Sequence, residues 1–257
     1  MPDRPGHFHR HRFPAEVISY AVWLYYRFPL SHRDVEELLS ERGIQVSYEA
    51  VRRWANKFGP IFAEDLRRRR VRPGRTWHLD EVFLRMNGRR VYLWRAVDEH
   101  GQVLDILVQA RRDAAAAERF FRRLLDRVGD APERIVTDKL ASYAAARERI
   151  PELESVKHVC VRAAARLNNR IEQSHQSTRV RERRMQRFKS MSQAQRFLST
   201  FSHICNLFRP RRHLLAAATY RITMQDRFHI WYRALLHEIT VGSAVWVQPA
   251  RLSMLTG

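Results

Sequence analysis

The sequence has 257 residues, and its 47 lysines and arginines outnumber its 27 aspartates and glutamates, for a formal net charge of +20. This length allows one sizeable core beside a small accessory domain, and the basic excess favours a polyanionic partner such as DNA. No apolar run reaches the ~20 residues of a membrane-spanning helix, and no apolar signal-peptide core follows the first methionine. We therefore expect a soluble, cytoplasmic, nucleoid-associated protein with no membrane partner.

The first part of the chain predicts three helices. Apolar residues recur at helical spacing over 14–27, and Ser31 with Asp34 has the form of a capping box that opens a second helix. Ser47 is placed to cap a third helix, which we expect over 48–57. This spacing is typical of a helix-turn-helix unit, although a generic three-helix bundle with a basic surface has the same pattern.

The third helix is the predicted reader of the DNA major groove. In a helix-turn-helix unit the start of this helix lies at the base edges, and its outer face reaches phosphates. We therefore expect Ser47 and Tyr48 near the bases, and Arg52, Arg53 and Lys57 on phosphates or guanines.

A basic run separates this segment from the rest of the chain. Arginines occupy 67–70, and the Pro73-Gly74 pair that follows favours a break. The arginines either form a solvated face or follow the DNA backbone. We predict four parts: a helix-turn-helix domain at 1–66, a basic linker at 67–76, a catalytic domain at 77–213 and a tail at 214–257.

The larger domain opens with three strand patterns, at 77–86, 91–98 and 103–109. Asn87-Gly88 joins the first two, and this pair favours a type I′ hairpin because both positions need a positive φ. A helical pattern follows at 114–128 and a short apolar strand at 134–137. The expected fold is an α/β mixed sheet with flanking helices, preceded by an all-α domain.

Three acidic residues stand in settings that suit a metal centre. Asp80 lies in the first strand, Asp138 directly follows the fourth, and Glu172 lies in a predicted helix. Mg²⁺ prefers carboxylate oxygens, and two such ions about 4 Å apart can neutralise the charge that develops in phosphodiester cleavage. Taken singly, each acid is better explained as a solvated surface residue than as a metal ligand. Glu81 points to the opposite side of the strand from Asp80, so we do not count it as a ligand.

Basic residues surround two of these acids in the sequence. Lys139 adjoins Asp138, and His175 and Arg179 follow the third acid by one and two helical turns. Arg183 and Arg181 continue the stretch. We expect these side chains to contact the DNA backbone, the alternatives being a solvated helix face and, for His175, a structural hydrogen-bonded histidine.

Several motifs together resemble the DDE transposases of bacterial insertion sequences, and above all the insertion-sequence-six family. They are WHLDE at 77–81, TDK at 137–139, NNRIE at 168–172 followed by His175, RFKSM at 187–191 and RFPLSHRDVE at 27–36. The resemblance covers roughly residues 7–213. The following segment at 214–257 matches none of the family pattern, which predicts a divergent tail.

The resemblance implies a ribonuclease-H-like catalytic domain in which Asp80, Asp138 and Glu172 hold Mg²⁺ or Mn²⁺. It also implies binding to the terminal inverted repeats of a mobile element and to target DNA, replicative cointegrate formation and a homo-oligomer that pairs two ends. Arg179 stands where the family usually has lysine, so the charge is kept and the hydrogen-bond geometry differs. Three alternatives stay open: a DNA-binding regulator without catalysis, a nuclease without strand transfer, and an inactive remnant.

Overall fold

The computed structural model describes residues 8, 11–69, 72–138, 141–161, 169–210 and 214–236, and only the backbone at 169–174 and 235–236. None of the helices in these ranges has the length and hydropathy needed to cross a bilayer. Two predicted site residues are affected by these limits. Lys139 lies outside the described residues, and the side chain of Glu172 is not described.

The N-terminal segment forms three helices, α1 (Ala15–Arg27), α2 (His32–Ser40) and α3 (Tyr48–Arg68). The predicted capping box is confirmed: the Asp34 amide donates to the Ser31 hydroxyl at 3.1 Å, and the Ser31 amide donates to the Asp34 carboxylate at 2.9 Å. Ser47 caps α3 by accepting a hydrogen bond from the Ala50 amide at 3.3 Å. The sequence signals at the helix starts were therefore sufficient to place them.

Helix α3 is longer than the sequence indicates. The predicted end near Lys57 is wrong, because the helix continues through Pro60 to Arg68. Phe58 and Phe62, one turn apart, are buried in the core, and this packing outweighs the local cost of an internal proline. Gly59 lets α1 approach closely, since a Cβ at this position would lie 2.6 Å from Cε2 of Tyr26.

Five strands form one mixed sheet in the order β3-β2-β1-β4-β5. They are β1 (Thr76–Met86), β2 (Arg89–Asp98), β3 (Val103–Gln109), β4 (Arg134–Thr137) and β5 (Lys157–Cys160). The first three run antiparallel, whereas β4 is parallel to β1 and β5 is parallel to β4. Asn87 and Gly88 have φ of 48° and 77°, which confirms the predicted tight hairpin between β1 and β2.

The two faces of the sheet pack against different helices. Trp77 and Leu79 of β1 belong to a core with α4 (Ala114–Val128) and α5 (Ala141–Arg147). Leu84 and Met86 point the other way, into a core that also contains side chains of α1, α3 and α7 (Met191–Leu207). The sheet with helices on both sides confirms the expected α/β fold.

The last described helix, α8 (Ala217–Leu236), packs against α3 and completes this second core. Trp231 is 2% exposed, and its ring lies 5.0 Å from that of Phe62 and 5.8 Å from that of Phe208. The helix lies within the segment at 214–257 that the sequence predicts to be a divergent tail. The division of the chain near residues 66–77 stays a prediction, but helices on both sides of it share one apolar core.

Candidate active site

The end of strand β4 brings two of the predicted acids together. β4 pairs in parallel with the first part of β1, so that His78 lies opposite Val136. The chain then leaves the sheet after Thr137, which places Asp138 beside Asp80. One carboxylate oxygen from each of Asp80, Asp138 and Glu81 lies within 4.8 Å of the other two. The expectation that the first two acids meet in space is confirmed.

The expectation that Glu81 points away from the other two acids is wrong, whereas its exclusion as a metal ligand stays a prediction. Neighbouring residues in a strand do point to opposite faces, and a complete sheet would separate their side chains. Here β4 ends at Thr137, so no strand lies between the two faces at Asp138. Both carboxylates of β1 therefore reach Asp138 across the open end of the sheet. The alternation of side chains along β1 does not show where the partner strand β4 ends, and that end decides which carboxylates meet.

Glu81 is held by two side chains at the bottom of this acidic group. Its side chain is 1% exposed, and it accepts hydrogen bonds from the Tyr143 hydroxyl at 2.7 Å and from Nε of Arg112 at 2.5 Å. A terminal nitrogen of Arg112 also lies 3.7 Å from the Asp138 carboxylate. Arg112 thus bridges two of the acids, and it enters the site from the loop between β3 and α4.

Burial raises the pKa of Glu81 to about 7. The Tyr143 hydrogen bond and the Arg112 charge lower it, whereas the neighbouring Asp138 and Asp80 carboxylates raise it further. A carboxyl with this pKa exchanges its proton near neutral pH and is harder to ionise than an exposed glutamate.

On the other side of β1, Asp80 faces helix α6 (Asn169–Arg184). Its carboxylate lies 3.3 Å from Nε2 of His175, which is 4% exposed. Burial lowers the pKa of His175 and outweighs the opposite effect of Asp80. The imidazole is therefore neutral at pH 7 and contacts Asp80 at a distance that is long for a charge-assisted hydrogen bond.

A buried arginine lies next to this contact, and sequence reasoning missed it. Arg95 stands directly opposite Asp80 in the β1–β2 register, is 1% exposed, and donates to the Thr178 hydroxyl of α6 at 2.5 Å. Burial lowers its pKa to about 10, so the guanidinium stays charged. A single arginine within the apolar run VYLWRAV was the available signal, because a buried charge needs partners.

Helix α6 carries the remaining predicted residues of the centre. Glu172 lies in this helix one turn before His175, and Arg179 and Arg183 are exposed further along it. The expected DNA contact of Arg181 is wrong. Its side chain is 2% exposed and donates to the carbonyls of Phe28 and Leu30 at 2.6 and 3.0 Å, because this side of α6 packs on the turn between α1 and α2.

The predicted DNA-reading residues lie at the N-cap and in the first half of α3, and they differ in the hydrogen bonds that they form within the protein. The Ser47 hydroxyl is used by the helix cap, and Arg52 forms a two-fold hydrogen bond with Glu49 at 2.6 and 2.9 Å. Arg53 is exposed, and Tyr48 is 38% exposed. Nζ of Lys57 lies 3.0 Å from Nε2 of His11. A cleft of about 970 Å³ opens here, lined in part by His11, Arg12, Phe13, Arg53, Asn56 and Lys57.

Known proteins match most of the chain. A family model described as a DDE domain matches residues 74–211. The transposase for insertion sequence-like element IS431mec of Staphylococcus aureus strain N315 is 32% identical over 210 residues, which are 82% of this chain and 92% of that one. The transposase for insertion sequence element IS257 in transposon Tn4003 of Staphylococcus aureus gives the same identity and coverage.

Among solved structures, the catalytic domain of Mos1 mariner transposase matches with a TM-score of 0.40 and 14% identity, over 71% of this chain and 93% of that one. This match carries no information about individual residues. The family model and the staphylococcal relatives extend across both the acidic group and helix α6. The chain therefore belongs to the DDE transposases of bacterial insertion sequences, the family that its motifs resemble.

Proposed function

We propose that this transposase cleaves DNA at the ends of its insertion sequence and joins the freed 3′-hydroxyl to target DNA. Asp80, Asp138 and Glu172 are the proposed catalytic and metal-binding residues. The observation that carries this proposal is the convergence of the Asp80 and Asp138 carboxylates at the end of β4, with helix α6 facing Asp80. Water is the nucleophile of cleavage, and no protein side chain needs to form a covalent intermediate.

The donor set at this centre fits a hard divalent cation. Of the proposed ligands, Asp80 and Asp138 bring carboxylate oxygens within 4.8 Å of each other, and Mg²⁺ and Mn²⁺ both accept such ligands. When bound, two such ions neutralise charge on the attacking and leaving oxygens of the phosphodiester. Within the protein, His175 steadies Asp80, and Arg112 holds Glu81 and Asp138 in place.

Two basic surfaces are proposed to bring DNA to the centre. Along α6, the exposed Arg179 and Arg183 bind the backbone of the transposon end, with Lys139 and His175 nearer the scissile phosphate. At the start of α3, a helix-turn-helix surface reads the terminal inverted repeats. Its residues are Ser47, Tyr48, Arg52, Arg53 and Lys57.

We infer further that the protein acts as a homo-oligomer that pairs two transposon ends and forms replicative cointegrates. Its proposed partners are DNA ends and target DNA, so the proposed place of action is the cytoplasm, at the nucleoid. These steps rest on the family resemblance and on the basic charge of the chain.

A comparison of two aspartates tests the proposed centre. Asp138→Asn should abolish metal-dependent cutting of a labelled transposon end and leave its binding in a mobility-shift assay unchanged. Asp130→Asn is the matched control, because Asp130 is an exposed aspartate in the loop before β4. Cutting by Asp138→Asn at the wild-type rate would refute the assignment. Binding by the wild type without any cutting in Mg²⁺ or Mn²⁺ would favour the regulator or the inactive remnant.

A further inference from the structure

The hairpin between β1 and β2 extends beyond the rest of the sheet. β4 pairs with β1 only from Thr76 to His78, so the part of β1 after Glu81 pairs with β2 alone. On the face that carries Glu81, the hairpin presents Phe83, Arg85 and Arg90, which we call the hairpin patch. All three side chains are exposed, Phe83 to 56%.

The composition of the hairpin patch is unfavourable for the isolated protein. Arg85 and Arg90 lie directly opposite each other in the β1–β2 register. Like charges at opposite positions of an antiparallel pair destabilise it. Within the part of the chain that the structure describes, no carboxylate forms an ion pair with either arginine. A polyanion bound on this face would remove the repulsion, which gives the patch a clear charge complementarity to DNA.

Phe83 adds a second property to the patch. The guanidinium of Arg90 lies 5.0 Å from the centre of its ring, a cation–π arrangement. An exposed aromatic ring beside arginines is the arrangement with which proteins stack unpaired bases while binding the adjoining phosphates. An acidic peptide would use the charges but would offer no base to stack on the ring.

The hairpin is anchored on its other face, so the patch is presented on a fixed support. Leu84 and Met86 are buried in the core beneath it. At the tip, the Asn87 side-chain amide donates to the Lys189 carbonyl at 3.1 Å. Alternation along the strand therefore separates a packed inner face from an outer face that meets solvent.

The position of the patch relates it to the acidic group. Phe83 follows Asp80 by three residues along β1, which corresponds to about 10 Å in a strand. Stacked nucleotides of one DNA strand are about 3.4 Å apart. The scissile phosphate would lie at the acidic group, where the Asp80 and Glu81 carboxylates come together at the open end of the sheet. A strand that then follows the Glu81 face of β1 would thus place its third nucleotide near Phe83.

We propose that the hairpin patch is a second DNA-contact surface, which binds unpaired DNA about three nucleotides from the scissile phosphate. Phe83 stacks on an exposed base, and Arg85 and Arg90 bind the phosphates on either side of it. The position in the DNA rests on the proposed active site, whereas the binding of unpaired DNA by the patch does not.

The test uses the full chain, a metal-free buffer that prevents cutting, and forked DNA ends with 2-aminopurine at successive unpaired positions. Stacking on Phe83 should quench the probe at about the third position in wild type and in Phe83→Trp, but not in Phe83→Ala. Phe83→Ala should also bind the forked end about tenfold more weakly. Because Phe83 is exposed, its replacement leaves the fold intact. Equal quenching in wild type and Phe83→Ala would overturn the proposal.

The arginines are tested through the salt dependence of binding. Replacing both Arg85 and Arg90 by glutamine should reduce the slope of log affinity against log salt by about 1.4 for single-stranded DNA. Arg122→Gln with Arg149→Gln, which changes charge equally on the outer side of α4 and the segment after α5, should leave the slope unchanged. An unchanged slope for Arg85→Gln with Arg90→Gln would contradict the proposal.

The outcomes separate this proposal from the proposed function. Quenching that depends on Phe83 in a protein that does not cut DNA would support the patch and count against the catalytic proposal. Cutting of DNA by a protein whose DNA binding does not depend on the patch would support the catalytic proposal and overturn the proposal for the patch. If Phe83→Ala changes the sedimentation of the protein and leaves DNA binding unchanged, the patch is a contact between copies of the chain, and the proposal is overturned.

Discussion

At the residue scale, the acidic group depends on side chains that themselves bind no metal. Tyr143 is fully buried and donates to Glu81, and Arg112 connects Glu81 with Asp138. Through Glu81 and Arg112, the buried Tyr143 of α5 therefore influences the position of the Asp138 carboxylate. Such supporting contacts restrict the side chains of a catalytic centre to productive positions.

Tyr143→Phe tests this support. The change removes one donor and leaves a buried carboxylate oxygen without it, so we expect the free energy of unfolding to fall by about 1–3 kcal/mol in urea denaturation. Cutting of the DNA end should slow as well, because Arg112 and Asp138 lose a fixed neighbour. Tyr92→Phe, which removes a half-buried hydroxyl on β2, is the control. Equal stability of the two variants would show that the Tyr143 hydroxyl contributes nothing.

At the scale of elements, helix α6 serves two surfaces. One side holds Arg181 against the turn between α1 and α2, where the guanidinium also lies 4.7 Å from the centre of the Tyr25 ring. The other side exposes Arg179 and Arg183. Residues two positions apart on one helix therefore have different roles, structural for Arg181 and, in our proposal, DNA binding for Arg183.

The pair Arg181→Gln and Arg183→Gln separates these roles. Arg181→Gln leaves two carbonyl acceptors and the rings of Tyr25 and Phe197 without their cation. We expect it to lower the free energy of unfolding by about 2–4 kcal/mol. Arg183→Gln should leave stability unchanged and weaken DNA binding, with a shallower salt dependence. The assignment fails if the two variants show the opposite pattern, with loss of stability at Arg183.

His32 at the start of α2 gives the N-terminal helices a dependence on pH. Its ring stacks on Tyr25 with centroids 4.2 Å apart. Burial, followed by the charges of Arg181 and Arg52, lowers the pKa of His32 to about 4, although Glu49 acts in the opposite sense. Unfolding restores a pKa near 6.5, so the unfolded chain binds more protons between these values.

We therefore expect the protein to lose stability as the pH falls from about 6.5 towards 4. With allowance for the partial exposure of the ring, the loss from His32 alone is about 1–2 kcal/mol. His32→Phe keeps an aromatic ring on Tyr25 and removes the titrating group, so urea midpoints at pH 7 and pH 4.5 should differ less for the variant. An equal difference in variant and wild type would contradict this interpretation.

At the scale of the whole molecule, the sequence was informative wherever the signal was local. Ser31 with Asp34, Ser47 and Asn87-Gly88 identify two helix starts and a hairpin, because each acts on backbone groups within a few residues. The position of Glu81 was missed because it depends on where a different strand ends. Arg181 was misassigned because an arginine on a helix has the same sequence pattern whether it meets solvent or a neighbouring turn.

The last described segment illustrates the same limit. From the sequence it is predicted to be a divergent tail, and yet α8 packs Trp231 between Phe62 of α3 and Phe208. An aromatic residue in an irregular pattern cannot be assigned to a core from the sequence alone, because its partners lie far away along the chain. The packing joins the N-terminal helices, the sheet and α8 in one apolar core.

Trp231→Ala tests this cooperation. Loss of the buried ring should lower the free energy of unfolding by about 3–5 kcal/mol. The neighbouring Tyr232→Ala is the control, since Tyr232 is 40% exposed on the same helix. Circular dichroism and tryptophan fluorescence should report one shared transition in urea for wild type. A small effect of Trp231→Ala would mean that α8 is an appendage to the fold.

In our proposal Asp80, Asp138 and Glu172 together support DNA joining, and of the three only Glu172 lies on a helix. The most direct measurement is Mg²⁺-dependent joining of a labelled transposon end to a plasmid, by wild type, Glu172→Gln and Glu182→Gln. The control removes another acid from the same helix α6. We expect joining by wild type and Glu182→Gln, and none by Glu172→Gln. Joining by Glu172→Gln at the wild-type rate would contradict the account.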